Sequence, residues 1–233
     1  MKKIIAAMLC AVLALGQACP ALAAKALSRF NLAYVEESEY YANGDIVIDT
    51  EDEDGDIFIY SAADWADLSF EHSKESEAKY SCAEFDMIII NRDEGGVLPV
   101  FRLWLYLSTD DQGYDISSVS FTVRDKEYTF TDLLDEDAYT VDENHYEQEM
   151  VIIFNQEGWN FISDLLWVKS RALSEKALMA TEIPVVFHGT EDITANLGEN
   201  FWRAFLMFSD LYINSKGLSN IADVTGTPVE VKE

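Results

Sequence analysis

Between Leu98 and Leu133 apolar and polar residues alternate with a period of two, the pattern of strands that turn one face toward a core. Along Leu98–Ser108 the positions Phe101, Leu103, Leu105 and Leu107 are all apolar, whereas Val100, Arg102, Trp104 and Tyr106 are mixed. One face is therefore core and the other only partly covered. Further on, Val119, Phe121 and Val123 alternate with Ser118, Ser120, Thr122 and Arg124. LPVFRLWLYLS, DISSVSFTVR and KEYTFTDL together read as three consecutive strands of an antiparallel meander. A two-residue turn at Asp125–Lys126 predicts Val123 opposite Tyr128, Phe121 opposite Phe130, Arg124 opposite Glu127, Thr122 opposite Thr129 and Ser120 opposite Thr131. Both faces then match, and a one-residue slip sets apolar against polar.

Upstream, Phe30, Leu32 and Tyr34 alternate within Ala26–Tyr41 as in a strand, the reading preferred here, while Leu27, Phe30 and Tyr34 also fit one face of a helix. Asp45–Thr50 and Asp56–Tyr60 form a hairpin around the acidic turn Glu51–Gly55, and Ser61–Glu77 is irregular with Trp65, Leu68 and Phe70 as anchors. Tyr80–Asn91 holds Met87-Ile88-Ile89-Ile90, apolar on both faces, as befits a central strand covered on both sides. Ala138–Val141 and His145–Phe154 read as further strands.

The period then changes to that of a helix. Asn155 caps a segment from Gln156 to Leu173, with Trp159, Ile162, Leu165, Leu166 and Leu173 inward. Ile183–His188 is a strand whose Pro184 belongs at its start or at an edge. Asn196, three residues before Glu199, gives a capping-box signal for a second helix that stops before Gly217. In it Phe201, Phe205, Phe208 and Tyr212 form an apolar row, and Glu199, Arg203, Asp210 and Asn214 a polar stripe. The tail from about Ser219 reads as loose or as a short edge strand. The sum is an α+β fold, a mostly antiparallel twisted sheet of about seven to nine strands with two C-terminal helices packed on one face.

The N-terminal MKKIIAAMLCAVLALGQACPALAA has Lys2 and Lys3, an apolar run from Ile4 to Leu15 and the small-x-small site Ala21-Leu22-Ala23. This is the three-part pattern of a secretory signal peptide over residues 1–23, with cleavage near Ala23–Ala24 and a periplasmic or secreted product. The run is too short for a membrane anchor, and Gly16 stands where lipidation at Cys19 calls for a Leu-like residue. Residues 24–233 show no linker or repeat and read as one domain. Only Cys82 survives in the mature chain, so an internal disulfide is ruled out and packing must supply stability.

The formal charge of -27 excludes binding to nucleic acid through phosphates and attraction to anionic lipid. It is also clustered. Thirteen acids and no Lys or Arg lie between Phe30 and Ser73, and eleven acids, again with no Lys or Arg, between Glu127 and Val168. That pattern serves solubility and also presents a surface for a basic protein or divalent cations.

Signals for chemistry are sparse. His72, His145 and His188 have no ligand spacing among themselves, although His145 and His188 sit on strands that could meet. Cys82 lies at the start of an apolar strand, as a buried structural thiol does. Gly-x-Ser-x-Gly, Ser-x-x-Lys and His-Glu-x-x-His are missing, and carboxylates are too abundant for any pair to stand out. In TEDEDGD, the acids Asp52, Asp54 and Asp56 are candidate ligands of a weak calcium site. The stretch departs from an EF-hand loop because Thr50 and Ser61 fill its first and twelfth places. These features point to an exported, acidic, non-enzymatic binding protein. The alternatives are an exported hydrolase using dispersed carboxylates and an envelope component with an open Trp104/Tyr106 face.

Overall fold

The computed structural model describes residues 30–232, apart from 51–54, 63–70, 73–77, 93–95, 110–115, 134–138 and 143–144. The leader, Cys19, the anchors Trp65, Leu68 and Phe70, and the candidate ligands Asp52 and Asp54 lie outside the described residues. The fold is α+β, but its strands divide between two antiparallel sheets instead of forming one.

The first sheet contains β1 (Ile46–Asp49), β2 (Ile57–Ser61), β4 (Ala78–Asn91), β5 (Val97–Thr109), β8 (Tyr139–Asp142) and β9 (His145–Phe154), in the order β1-β2-β4-β5-β9-β8. The second contains β3 (Glu71–His72), β6 (Ser118–Val123), β7 (Lys126–Thr131), β10 (Ile183–His188), β11 (Ile193–Leu197) and β12 (Val229–Lys232), in the order β12-β7-β6-β10-β11-β3. The expected meander is thus cut after its first strand. β5 has β4 on one edge and β9 on the other, so β6 finds no vacant ladder there and starts the second sheet.

The β6–β7 hairpin keeps its predicted faces but pairs two residues away from the predicted register. Phe121 faces Tyr128, Thr122 faces Glu127 and Val123 faces Lys126. The turn residues are Arg124 and Asp125, at φ 55 and 65, and two left-handed residues give the twist that flanking strands require of a two-residue loop. A shift of two leaves every side chain on its own face, so the alternation that excluded a slip of one did not exclude this one, and the predicted register is wrong.

The helices are α1 (Leu32–Glu36), α2 (Glu39–Asn43), α3 (Trp159–Arg171), α4 (Glu175–Met179) and α5 (Glu199–Asn214), with a 3-10 turn at Gly217–Asp223. In the segment preferred as an N-terminal strand, Leu32–Glu36 and Glu39–Asn43 are helical, the alternative its spacing also allowed. Ser38 Oγ accepts the Tyr41 N–H at 3.2 Å, Gly44 closes α2 at φ 78, and Val35 is the buried anchor. Asn155 does cap the next helical region, accepting from the N–H groups of Glu157 at 3.0 Å and Gly158 at 2.9 Å. The helix ends at Arg171, however, and leaves Leu173 at the surface instead of inward. α5 begins after Gly198 and not at Asn196, because Ile193, Ala195 and Leu197 alternate as a strand against β10. Pro184 is the second residue of β10 and lies before its pairing with β6 begins at Val185.

One apolar core joins both sheets. Phe130 of the second sheet meets Phe154 of the first at 5.9 Å between ring centroids, and Phe161 of α3 lies within 6.0 Å of Phe121, Tyr128, Phe130 and Phe154. Phe201 and Phe205 of α5 pack on Phe85 of β4, and Tyr212 donates to the Pro99 carbonyl at 3.2 Å. A smaller cluster covers the other face of the first sheet, with Ile88, Ile90, Val100, Val151 and Val224 among its members. Both faces of β4 are therefore buried, as its apolar run predicted.

The tail acts as a strap. Thr227 exchanges hydrogen bonds with Ile153 of the first sheet, its N–H to the Ile153 carbonyl and its Oγ1 from the Ile153 N–H, and β12 then pairs with β7 in the second. At Gly226 an added Cβ would stand 2.6 Å from the Ile153 carbonyl oxygen and 2.7 Å from the Asn155 nitrogen. Gly226→Ala should therefore cost about 1–3 kcal/mol through overpacking. Gly198→Ala, where a Cβ meets nothing within 4 Å, should be nearly neutral. Urea unfolding of the two variants checks this.

Candidate functional site

The face of β4 and β5 turned away from the main core holds charges that the sheet register gathers. Glu84 faces Trp104 and Asp86 faces Arg102 across the ladder. All of Glu84, Asp86 and Arg102 are buried. Arg102 donates to Asp86 twice, from Nε to Oδ1 at 2.8 Å and from Nη2 to Oδ2, while Trp104 Nε1 donates to the same Oδ2 at 3.0 Å. The guanidinium also lies 4.9 Å from the Trp104 ring centroid. Glu84 receives the Ser61 N–H of β2 at 3.2 Å. Burial, and then the Asp86 charge, push its carboxyl up to about 8. Trp104 is engaged with Asp86 and packs on the smaller cluster, so it is not the open aromatic surface considered from the sequence.

On the outer face of the second sheet, His188 joins two other polar groups. Its Nε2 is 2.8 Å from Ser120 Oγ and its Nδ1 is 3.1 Å from Asp192 Oδ1. Ser120 Oγ is also 2.8 Å from Thr129 Oγ1. Asp–His–Ser is the order of groups by which hydrolases activate a serine. Here Ser120 is in mid-strand, paired with Thr129 on one side and Val186 on the other, so the ladder takes the backbone N–H groups that an oxyanion would need. Ser120 is also only 3% exposed. The chain of hydrogen bonds ties the β10–β11 turn to β6 and β7.

A third cluster centres on Asp164 of α3. It accepts from Arg124, from Lys126 at 3.3 Å and from the Tyr128 hydroxyl at 2.5 Å. Burial pushes this carboxyl up, but the three donors outweigh it and hold Asp164 below its ordinary value. Burial and the same bond push the Tyr128 phenol up. Arg124 stacks on the half-exposed Trp167 at 4.0 Å from its centroid, with Arg171 at 5.4 Å.

The fourth feature is a surface. α1 and α2 expose Glu36, Glu37 and Glu39, followed by Asp45, with Tyr41 46% exposed among them. Tyr34 donates to Asp210 of α5 at 3.3 Å. Partial burial and then the Asp210 charge raise the Tyr34 and Tyr40 phenols. Bases elsewhere are drawn into pairs, Arg203 with Glu199 and Lys232 with Glu127.

Of the candidate calcium ligands, Asp56 is buried and its Oδ1 accepts the Asn91 N–H at 2.7 Å. Among the described residues no group of three His, Cys, Asp or Glu side chains could hold a metal ion. Cys82 is in β4 opposite Tyr106, and His72 and His145 start or end strands of different sheets. Sequence reasoning missed both the Glu84–Asp86–Arg102 group and the Ser120–His188–Asp192 chain. The first had a signal: Glu84 and Asp86 share a face of β4, and Arg102 and Trp104 share a face of β5. The second had one only in the spacing of His188 and Asp192 across the turn at Gly189. Comparison with protein-family models, curated proteins and solved structures finds no match.

Proposed function

We propose that this chain is an exported, strongly acidic, non-enzymatic interaction protein that binds a basic protein partner. The observation that carries this reading is the exposed acidic face of α1 and α2, within a stretch that has thirteen acids and no Lys or Arg. Such a face raises encounter rates with cationic surfaces and weakens as salt screens it. Divalent cations are the second ligand class the acidic stretch suits, through Asp52 and Asp54 of the turn, since Asp56 is buried and bonded to the Asn91 N–H. The alternative of a hydrolase working through carboxylates would centre on Glu84 and Asp86. Arg102 and Trp104 already occupy Asp86, so the interaction reading is preferred.

The test is fluorescence anisotropy of a labelled oligolysine peptide at low, physiological and high salt. Binding should weaken steeply with salt, and Glu36→Lys/Glu37→Lys/Glu39→Lys should lose at least about tenfold in affinity. A control reversal at Glu175, Glu182 and Glu191, exposed residues in another part of the chain, should lose much less. Equal losses from both reversals would reduce the effect to net charge and remove the proposed face.

A further inference from the structure

The first sheet places two buried carboxylates beside one buried guanidinium. Glu84 is 4% exposed, Asp86 7% and Arg102 3%. The guanidinium turns two donors to Asp86, and the neighbouring indole N–H goes to Asp86 as well. Glu84 is left with a neutral donor, the Ser61 N–H at 3.2 Å. Two carboxylates sharing one cation in a dry site do not both ionise, because the second charge has neither water nor a partner to offset its desolvation. We propose that Glu84 is a proton-binding site of the folded protein, and that this proton couples the stability of the buried face of β2, β4 and β5 to pH.

This inference is independent of the partner proposed above. Among the described residues, the register places on this face the ionisable groups Asp86 of β4, Arg102 and Tyr106 of β5, Tyr60 of β2 with Asp56 just before that strand, Asp49 of β1 and Glu149 of β9. Asp86 opposes ionisation of Glu84; Arg102 and the Ser61 N–H favour it but are outweighed by burial. The direction of the linkage follows. Below the ordinary value of 4.5 both the folded and unfolded chains carry the proton, and the contribution to stability is complete. As the pH rises the unfolded chain ionises first, so stability falls until the folded carboxyl ionises near 8, and then levels off.

The experiment uses the full mature chain with 13C-labelled glutamate carboxyls, titrated by NMR and assigned through bonds, so that the assignment needs no variant. The Glu84 signal should titrate near 8, whereas a midpoint in the ordinary range of about 4–5 overturns the proposal. In urea unfolding between pH 5.5 and 8, the wild-type folding constant should fall by up to about tenfold per pH unit relative to Glu84→Gln. Parallel profiles for the two proteins overturn it too.

Discussion

Phe121→Ala should cost about 3–5 kcal/mol of folding stability, the range for deleting a large buried aromatic side chain. Phe121 is fully buried, 4.9 Å from the ring of Phe161 and 5.9 Å from that of Phe130. Its removal opens a cavity where α3 and both sheets come together, and rigid neighbours on several sides limit collapse into it. Thr122 is the next residue along β6 and is exposed on the opposite face. Thr122→Ala should therefore change stability by no more than about 0.5 kcal/mol. Urea midpoints measured at one pH decide the matter, and comparable losses at the two positions would mean that the inward face of β6 has been misassigned.

The second large effect belongs to Arg102. Arg102→Met should cost about 3–5 kcal/mol, because it strands Asp86 in a buried setting next to Glu84. Arg102→Lys keeps a charge but loses the two-pronged contact and the packing on Trp104, and should fall between Met and wild type. The informative variant is Asp86→Leu/Arg102→Met, which removes both charges together. It should recover much of the loss, since buried ion pairs often exchange with apolar pairs at little net cost. A double variant as unstable as Arg102→Met alone would show that the pair is not the energetic unit.

Local pattern was a reliable guide to single elements. His145–Phe154 and Ile183–His188 have the bounds read from alternation, and the row Phe201, Phe205, Phe208 and Tyr212 is the buried side of α5. What alternation does not encode is which strand lies beside which. Leu98–Ser108 and Ser118–Val123 look equally suited to pair, but the first is saturated by β4 and β9, strands that lie before and after it in the chain. The clusters of charge follow the same logic. Glu84 and Arg102 acquire their meaning only once β4 and β5 are in register, and Ser120 and His188 only once β10 adds to β6. In the short helices α1 and α2 both periods fit, since Phe30, Leu32 and Tyr34 alternate while Phe30 and Tyr34 also share a helical face, and for α2 the deciding features were its caps Ser38 and Gly44.

The strap formed by Thr227 and β12 bears on when β7 can gain its outer neighbour. A chain emerges N-terminus first, yet β7 gains its outer neighbour, and Ile153 its partner Thr227, only from residues at the far end. The second sheet likewise joins β3, near residue 72, to β12, near residue 230, so its closure spans most of the sequence. Pairings so distant along the chain carry the loop-closure cost that slows folding. Until Val229–Lys232 pairs with it, β7 is an edge strand with an unpaired ladder.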